Sequence, residues 1–160
     1  MATYRIAESA RIAAPAAECY AILADYRVGH PSVLPAPYFD GLDVEEGGVG
    51  AGTVIRFRMR MLGTTRTARA RVTEPAPGRV LMETIPESNI VTTFTVVPDA
   101  GGAGCEVTIA TEFPDRGGLL GAIERALVGR SLPRVYRKEL ALLAARAERR
   151  GAAAHAGADR

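Results

Sequence analysis

The run Thr53-Val54-Ile55-Arg56-Phe57-Arg58-Met59-Arg60-Met61-Leu62 alternates without a fault: Ile55, Phe57, Met59 and Met61 share one parity, and Arg56, Arg58 and Arg60 the other. Successive side chains of a strand point to opposite faces, so the pattern predicts a strand with one face on a core and one in water, as in an antiparallel sheet. The period of two continues on both sides of this run. Upstream, 39–46 sets Leu42 and Val44 against Asp43 and Glu45, and downstream, 64–74 sets Ala68, Ala70 and Val72 against Arg69 and Arg71. Three more strands are predicted over 79–86, 89–98 (Thr92, Phe94, Val96) and 105–113 (Val107, Ile109, Phe113). The connections, such as Leu62-Gly63-Thr64 and Pro86-Glu87-Ser88, suit hairpins and are too short for parallel crossovers.

On the N-terminal side, 4–13 alternates loosely, with Tyr4, Ile6, Glu8, Ala10 and Ile12 on one parity, which makes a seventh strand. Pro15 suits the first turn of a short helix carrying Cys19, Tyr20 and Leu23 up to Asp25. The proline-rich stretch from Tyr26 to Pro37 holds at most a helical turn or two. After Asp115-Arg116-Gly117-Gly118 the period becomes helical to about Arg150, with Leu120, Ile123 and Leu127 in one stripe and Leu132, Tyr136, Leu140, Leu143 and Ala147 in another. The five-residue step from Leu127 to Leu132, with Pro133 beside it, predicts a kink or short break near 129–133. Residues 1–150 are expected to form one domain, and the small side chains of 151–160 a frayed tail.

Composition narrows the function. The 160 residues are 48% hydrophobic and 24% charged with a net charge of +2, which excludes collagen-like and wholly disordered chains and gives no overall electrostatic case for nucleic acid. Lys138 is the sole lysine, and the excess of arginine, alanine and glycine points to a GC-rich bacterial genome. Cys19 and Cys105 fit no ligand pattern and read as reduced, buried thiols. The N-terminal residues contain no apolar run of signal-peptide length, and no stretch approaches a membrane span, so a soluble cytoplasmic protein is expected.

The order strand, short helix, broken helical turn, six antiparallel strands, long helix resembles the helix-grip architecture of the SRPBCC superfamily, which includes START-type lipid carriers, polyketide cyclase/dehydrase-like proteins and pollen-allergen-like carriers. The run from Ile12 to Asp25 is similar to that family's strand-to-helix transition, and Gly50-Ala51-Gly52-Thr53, the turn Glu74-Pro75-Ala76-Pro77-Gly78-Arg79 and Gly104-Cys105-Glu106-Val107-Thr108 are similar to its later punctuation. The likeness covers 4–149. It implies an α+β fold in which a curved seven-stranded sheet wraps a long C-terminal helix, with two short helices after the first strand and a cavity for a lipid, isoprenoid, polyketide or other apolar molecule. Many members carry a tryptophan after a proline where this chain reads Gly29-His30-Pro31-Ser32-Val33-Leu34.

On this basis the expected ligand-binding residues are Tyr26, His30, Phe57, Met59, Met61, Met82, Phe94, Ile109, Ile123, Leu127, Arg130 and Tyr136, because thioethers and aromatics conform to varied ligands and the polar tips can orient one end. The leading expectation is binding of a small hydrophobic partner. A polyketide cyclase or aromatase using Glu8, His30 and Tyr136 as acid/base groups is the alternative, and a protein-interaction module is a third. For Glu8 the simpler reading is a pairing with an arginine; Glu83 and Glu112 carry the same ambiguity. Arg56, Arg58, Arg60, Arg69 and Arg71 lack interleaved aromatics and read as a solvated outer face, not a nucleic-acid platform. The glycine-rich 48–52 precedes no helix, so no phosphate loop is expected, and no HExxH, GxSxG or Cys/His cluster suggests a metal, a nucleotide cofactor or a serine triad. A homodimer is compatible with the sequence.

Overall fold

The computed structural model describes residues 2–158. Seven strands, β1 (Thr3–Ile12), β2 (Phe39–Glu46), β3 (Val54–Met61), β4 (Thr64–Ala76), β5 (Val80–Ile85), β6 (Ile90–Pro98) and β7 (Cys105–Pro114), form one antiparallel sheet in the order β1-β7-β6-β5-β4-β3-β2. Helix α1 (Ala16–Ala24) and a 3-10 turn, His30–Val33, follow β1, and helix α2 (Gly118–Ala158) ends the chain. This is the helix-grip fold. The core lies between the concave face of the sheet and the two helices, and includes Ile12, Leu23, Val72, Leu81, Val96, Ile109, Leu140 and Leu143.

The registers fix the faces. Phe94 lies opposite both Leu81 and Ile109, and Ile55 opposite Ala70, so these parities turn inward together. Arg56 and Arg58 point outward, as expected of a half-wet strand, where Arg56 and Arg69 both hold Glu45 at 2.5 Å. Met82 falls on the outer parity, opposite Thr73 and Thr93, and the neighbouring Glu83 faces in. The run Val80-Leu81-Met82 is apolar on both parities, so its alternation left the face of Met82 undetermined.

The C-terminal helix departs from expectation at two places. It runs from Gly118 to Ala158 with Pro133 inside and no break. Its buried stripe passes through Gly121, Val128, Leu132, Val135, Tyr136, Leu140, Leu143 and Ala147. Val128, not Leu127, precedes Leu132, and a step of four keeps the stripe in phase, so the packing requires no break at the proline. Helix also continues through 151–158, where fraying was expected; these residues are mostly alanine, the best helix former, and nearly all are exposed. Residues 159–160 lie outside the described residues.

Helix cover is uneven. Helix α2 packs against β1, and α1 against β6 and β7, with no comparable helix contact on β2 or β3. Along β3, Ile55 is buried while Phe57, Met59 and Met61 are only partly so, and Leu42 and Val44 on β2 share that state. The concave face is therefore closed over β5 to β7 and more open over β2 and β3.

Candidate functional site

Two neighbouring features are candidates: a buried polar cluster beneath α2 and a surface cleft at the open end of the sheet.

The cluster begins where α1 stops. Asp25 caps the following turn, its carboxylate accepting the backbone N–H groups of Arg27, Val28 and Gly29 at 3.1–3.2 Å. Burial would raise the pKa of Asp25, but these three donors hold it below the usual value. Gly29 packs directly on α1, where a Cβ would lie 2.4 Å from the carbonyl oxygen of Ile22, so only glycine permits this turn. The turn carries Tyr26 and His30 into the core with their rings stacked at 4.6 Å, and the His30 ring meets Phe94 edge-on at 5.3 Å. His30 Nδ1 lies 2.7 Å from the carbonyl oxygen of Leu23. A carbonyl only accepts, so Nδ1 carries the proton, and Nε2 faces Glu83 Oε1 at 3.6 Å. The Tyr26 hydroxyl donates to the same Glu83 oxygen at 2.7 Å.

Glu139 closes the cluster from α2. It is 3% exposed and its Oε1 has no hydrogen-bond partner. Burial, reinforced by the charge of Glu83, raises its pKa to about 8, so at neutral pH it is mostly the protonated acid. Burial and then the charge of Glu83 likewise push Tyr26 far above the ordinary phenol value. Tyr136 is bonded to Thr111, which in turn bonds Thr92 at 2.8 Å, and its pKa is also raised, chiefly by burial. The result is a buried cluster of groups able to hold and move protons: Glu139 and Glu83, with Tyr26 and His30 around Glu83.

The cleft, about 220 Å³ in volume, lies between the β3–β4 hairpin, the 34–38 segment and α2. Met61, Leu62, Pro37 and Tyr38 supply its apolar surface, and Arg60, Arg134 and Ser131 its polar edge. None of the cluster side chains lines it. Lys138, one turn along α2 from Arg134, lies over the Tyr38 ring at 5.1 Å from its centroid.

The sequence-expected residues therefore divide. Tyr26 and His30 come together, but His30 is buried, 2% exposed, instead of standing at a mouth. Phe94 and Ile109 face inward within the closed core. Phe57 and Met59 lie half-buried on the open half, and Met61 reaches the cleft. Ile123, Leu127 and Arg130 are exposed on the solvent side of α2, because the buried stripe runs through Val128. Glu8 faces inward by register but pairs with Arg137 at 3.1 Å on the sheet edge, the simpler of its two readings. Glu112 points out beside Arg5. The sequence reading missed Glu139. Its only signal was a charge at the i+3 position after Tyr136, inside an apolar stripe.

Residues 3–148 match the profile of the family described as polyketide cyclase / dehydrase and lipid transport. The chain belongs to that family. Among solved structures it is similar to the KanY protein, at 28% identity with a TM-score of 0.80 over 92% of this chain and 99% of that one. It also resembles the Zhui aromatase/cyclase from Streptomyces sp. R1128 (20% identity, TM-score 0.73, 93% and 96% of the two chains). A third likeness is to the di-domain ARO/CYC StfQ of the steffimycin biosynthetic pathway, at 18% identity and TM-score 0.69, over 94% of this chain and 52% of that one. No curated protein matches significantly. Among the described residues no helix is long and apolar enough to cross a membrane.

Proposed function

We infer that this family member binds a small hydrophobic molecule, of the lipid, isoprenoid or polyketide kind, at the open end of its sheet. One observation carries the reading: the apolar parity of β2 and β3 continues past the helix cover, leaving Leu42, Phe57 and Met59 partly exposed next to a cleft floored by Met61 and Leu62. A contiguous apolar surface inside a concave fold loses about 25 cal/mol per Å² when a ligand displaces its water. The two free, buried thiols and the composition fit a protein of the bacterial cytoplasm. The reading is tested by titrating an environment-sensitive apolar dye. Met59→Asp should abolish binding by placing a charge on the ligand surface, and Arg58→Asp, on the outer face, should leave it intact once both variants are shown to be folded. Equal loss in both would move the site to the outer face.

A second reading, acid–base catalysis on a bound polyketide-like chain, is favoured by the buried Glu139, whose Oε1 has no hydrogen-bond partner, under the charge of a Glu83 that Tyr26 and His30 flank. Carrying a ligand does not require a protonated acid in the core, whereas enolisation and dehydration use one. Turnover of a cyclisable poly-β-carbonyl substrate should then fall by about 100-fold or more in Glu139→Gln with dye binding unchanged. Turnover that survives in this variant would leave the binding function alone.

A further inference from the structure

The chain has two cysteines, 86 positions apart, and the fold brings them to one point. Cys19 lies on the buried face of α1, Cys105 opens β7, and their sulfurs are 3.4 Å apart with both residues fully buried. Both are free thiols, and neither lines the cleft. Cys105 pairs in register with Ile12, the last residue of β1, and with Pro98, the last of β6, so the contact sits beside the point where the chain leaves β1 for α1.

Helix α1 depends on what it packs against. Nine residues are too few for a helix to persist by itself, and Pro15 at its N-cap provides no side-chain hydrogen bond. Burial meanwhile keeps the thiols slow. It raises the Cys19 thiol to about 12, with the Cys105 contact adding to the shift, and raises Cys105 as well, so little thiolate is present at neutral pH. The same packing gives an oxidised sulfur a partner thiol already in contact, which needs an approach of roughly 1.4 Å to reach the ~2.05 Å of a disulfide bond.

We propose that Cys19 and Cys105 form a reversible redox cross-link, a dithiol under reducing conditions that peroxide converts into a disulfide pinning α1 to β7. One thiol, as its thiolate, attacks a peroxide oxygen, the O–O bond breaks, and the displaced hydroxide leaves as water with that thiol's proton. The second sulfur then displaces hydroxide from the sulfenic acid, and its own proton completes a second water. Two electrons pass from the sulfurs to the peroxide, so two thiols and one hydrogen peroxide give one disulfide and two waters. Exchange with an external dithiol reverses the change. The loop closed by the link contains the turn carrying Tyr26 and His30 and strands β2 to β6.

The experiment treats the full chain with hydrogen peroxide, stops the reaction with catalase, and follows thiol content in denaturant, intact mass and thermal unfolding. The treatment is repeated in urea just below the unfolding transition, which favours local opening and admits the oxidant. Both thiols should disappear with a loss of about two mass units, the two hydrogens, and dithiothreitol should restore them. The oxidised protein should melt about 5–15 °C higher, the shift expected for closing a loop of this length. Amide exchange over 16–24 should slow about tenfold or more, because α1 can no longer leave the sheet. Cys19→Ala and Cys105→Ala, each with one thiol left, should gain oxygen or link two chains, without the rise in melting temperature. Thiols that persist through both treatments overturn the proposal. So does a wild-type product that gains oxygen or joins two molecules. A disulfide that lowers the melting temperature also overturns it, because the native contact would then not suit the bond.

Discussion

The β5–β6–β7 part of the sheet and the β2–β3 part present the same alternation on their inner faces, yet only the first has a fully buried middle. Leu81, Phe94, Val107 and Ile109 are at most 2% exposed, whereas Leu42, Phe57, Met59 and Met61 remain partly open. The strands themselves do not account for the difference, since β3 has the cleanest alternation of all. It goes with the helix cover, since α1 packs against β6 and β7 and no comparable helix contact reaches β2 or β3. An apolar parity shows which face is inside, and the position of the helix determines whether inside means packed. The buried titratable cluster lies beneath the closed part. Stability and ligand binding should accordingly separate along this line.

The largest expected effect lies in the sealed half. Leu143, fully buried, and Phe94, 2% exposed, should each cost about 3–5 kcal/mol on substitution by alanine, the transfer and cavity terms together. Met59→Ala, in the open half, should cost about 1 kcal/mol, because its side chain already reaches solvent. Urea denaturation of the three variants checks this. Comparable losses would mean that Met59 is packed as tightly as the core and that the open half is closed in solution.

Glu139 tests the sealed half through pH. Its folded-state value of about 8 exceeds the ordinary 4.5, so between these values the folded protein keeps a proton that the unfolded chain has released. Its contribution is therefore fully present below about pH 4.5 and is lost as pH rises through 8, by up to about 1.4 kcal/mol per pH unit. Glu74 behaves in the opposite sense. The Tyr20 hydroxyl at 2.5 Å and the Ala51 N–H at 2.8 Å lower its pKa, so its contribution is present above the ordinary carboxylate value and lost as pH falls. Denaturation midpoints from pH 5 to 9 should decline in the wild type and flatten in Glu139→Gln. An unchanged slope in the variant would place the titrating group elsewhere.

A smaller effect is expected at Tyr26. Removing its hydroxyl in Tyr26→Phe leaves Glu83 without a donor at 2.7 Å, which should cost about 1–3 kcal/mol for a part-buried carboxylate. Dye affinity at the cleft should stay the same, since no cluster side chain lines it. A change in affinity of more than about tenfold would show that the two features communicate.

The sequence disclosed most of the fold because strands and hairpins are written locally. Each of the six strands after α1 has its own alternation and its own turn, as at Leu62-Gly63-Thr64. The candidate site was less legible, because it is assembled from segments far apart in the chain. Tyr26 and His30 were recognisable as polar groups in a turn, but nothing local shows that the turn inserts them beneath Phe94 or that Glu83 receives them. Met82 and Glu83 take opposite parities, and the apolar Val80-Leu81 before Met82 masked which of them faces in. Glu139 was hidden for a different reason. A carboxylate at a core position of a helix reads as a solvated charge unless the helix phase is known, and the stripe taken through Leu127 concealed that phase.

The smallest expected effect is on the outer face, and it sharpens the contrast most economically. Arg58 is more than half exposed, 55% for its side chain, and lies 3.6 Å from an Asp40 carboxylate that is itself 68% exposed. Two solvated charges at that separation attract weakly in water and give up side-chain freedom to stay together, so Arg58→Gln should change stability by less than about 0.5 kcal/mol. Arg60 lies two residues away on the same outer parity and is also an exposed arginine, with no carboxylate partner within 4.0 Å among the described residues. Arg60→Gln should be equally silent in denaturation, because no ion pair is lost. Neither variant should change the affinity for the dye, because both side chains lie on the outer parity of β3. A loss of dye affinity in either variant would mean that the outer parity of β3 contributes to the ligand surface and that the apolar parity alone does not form it.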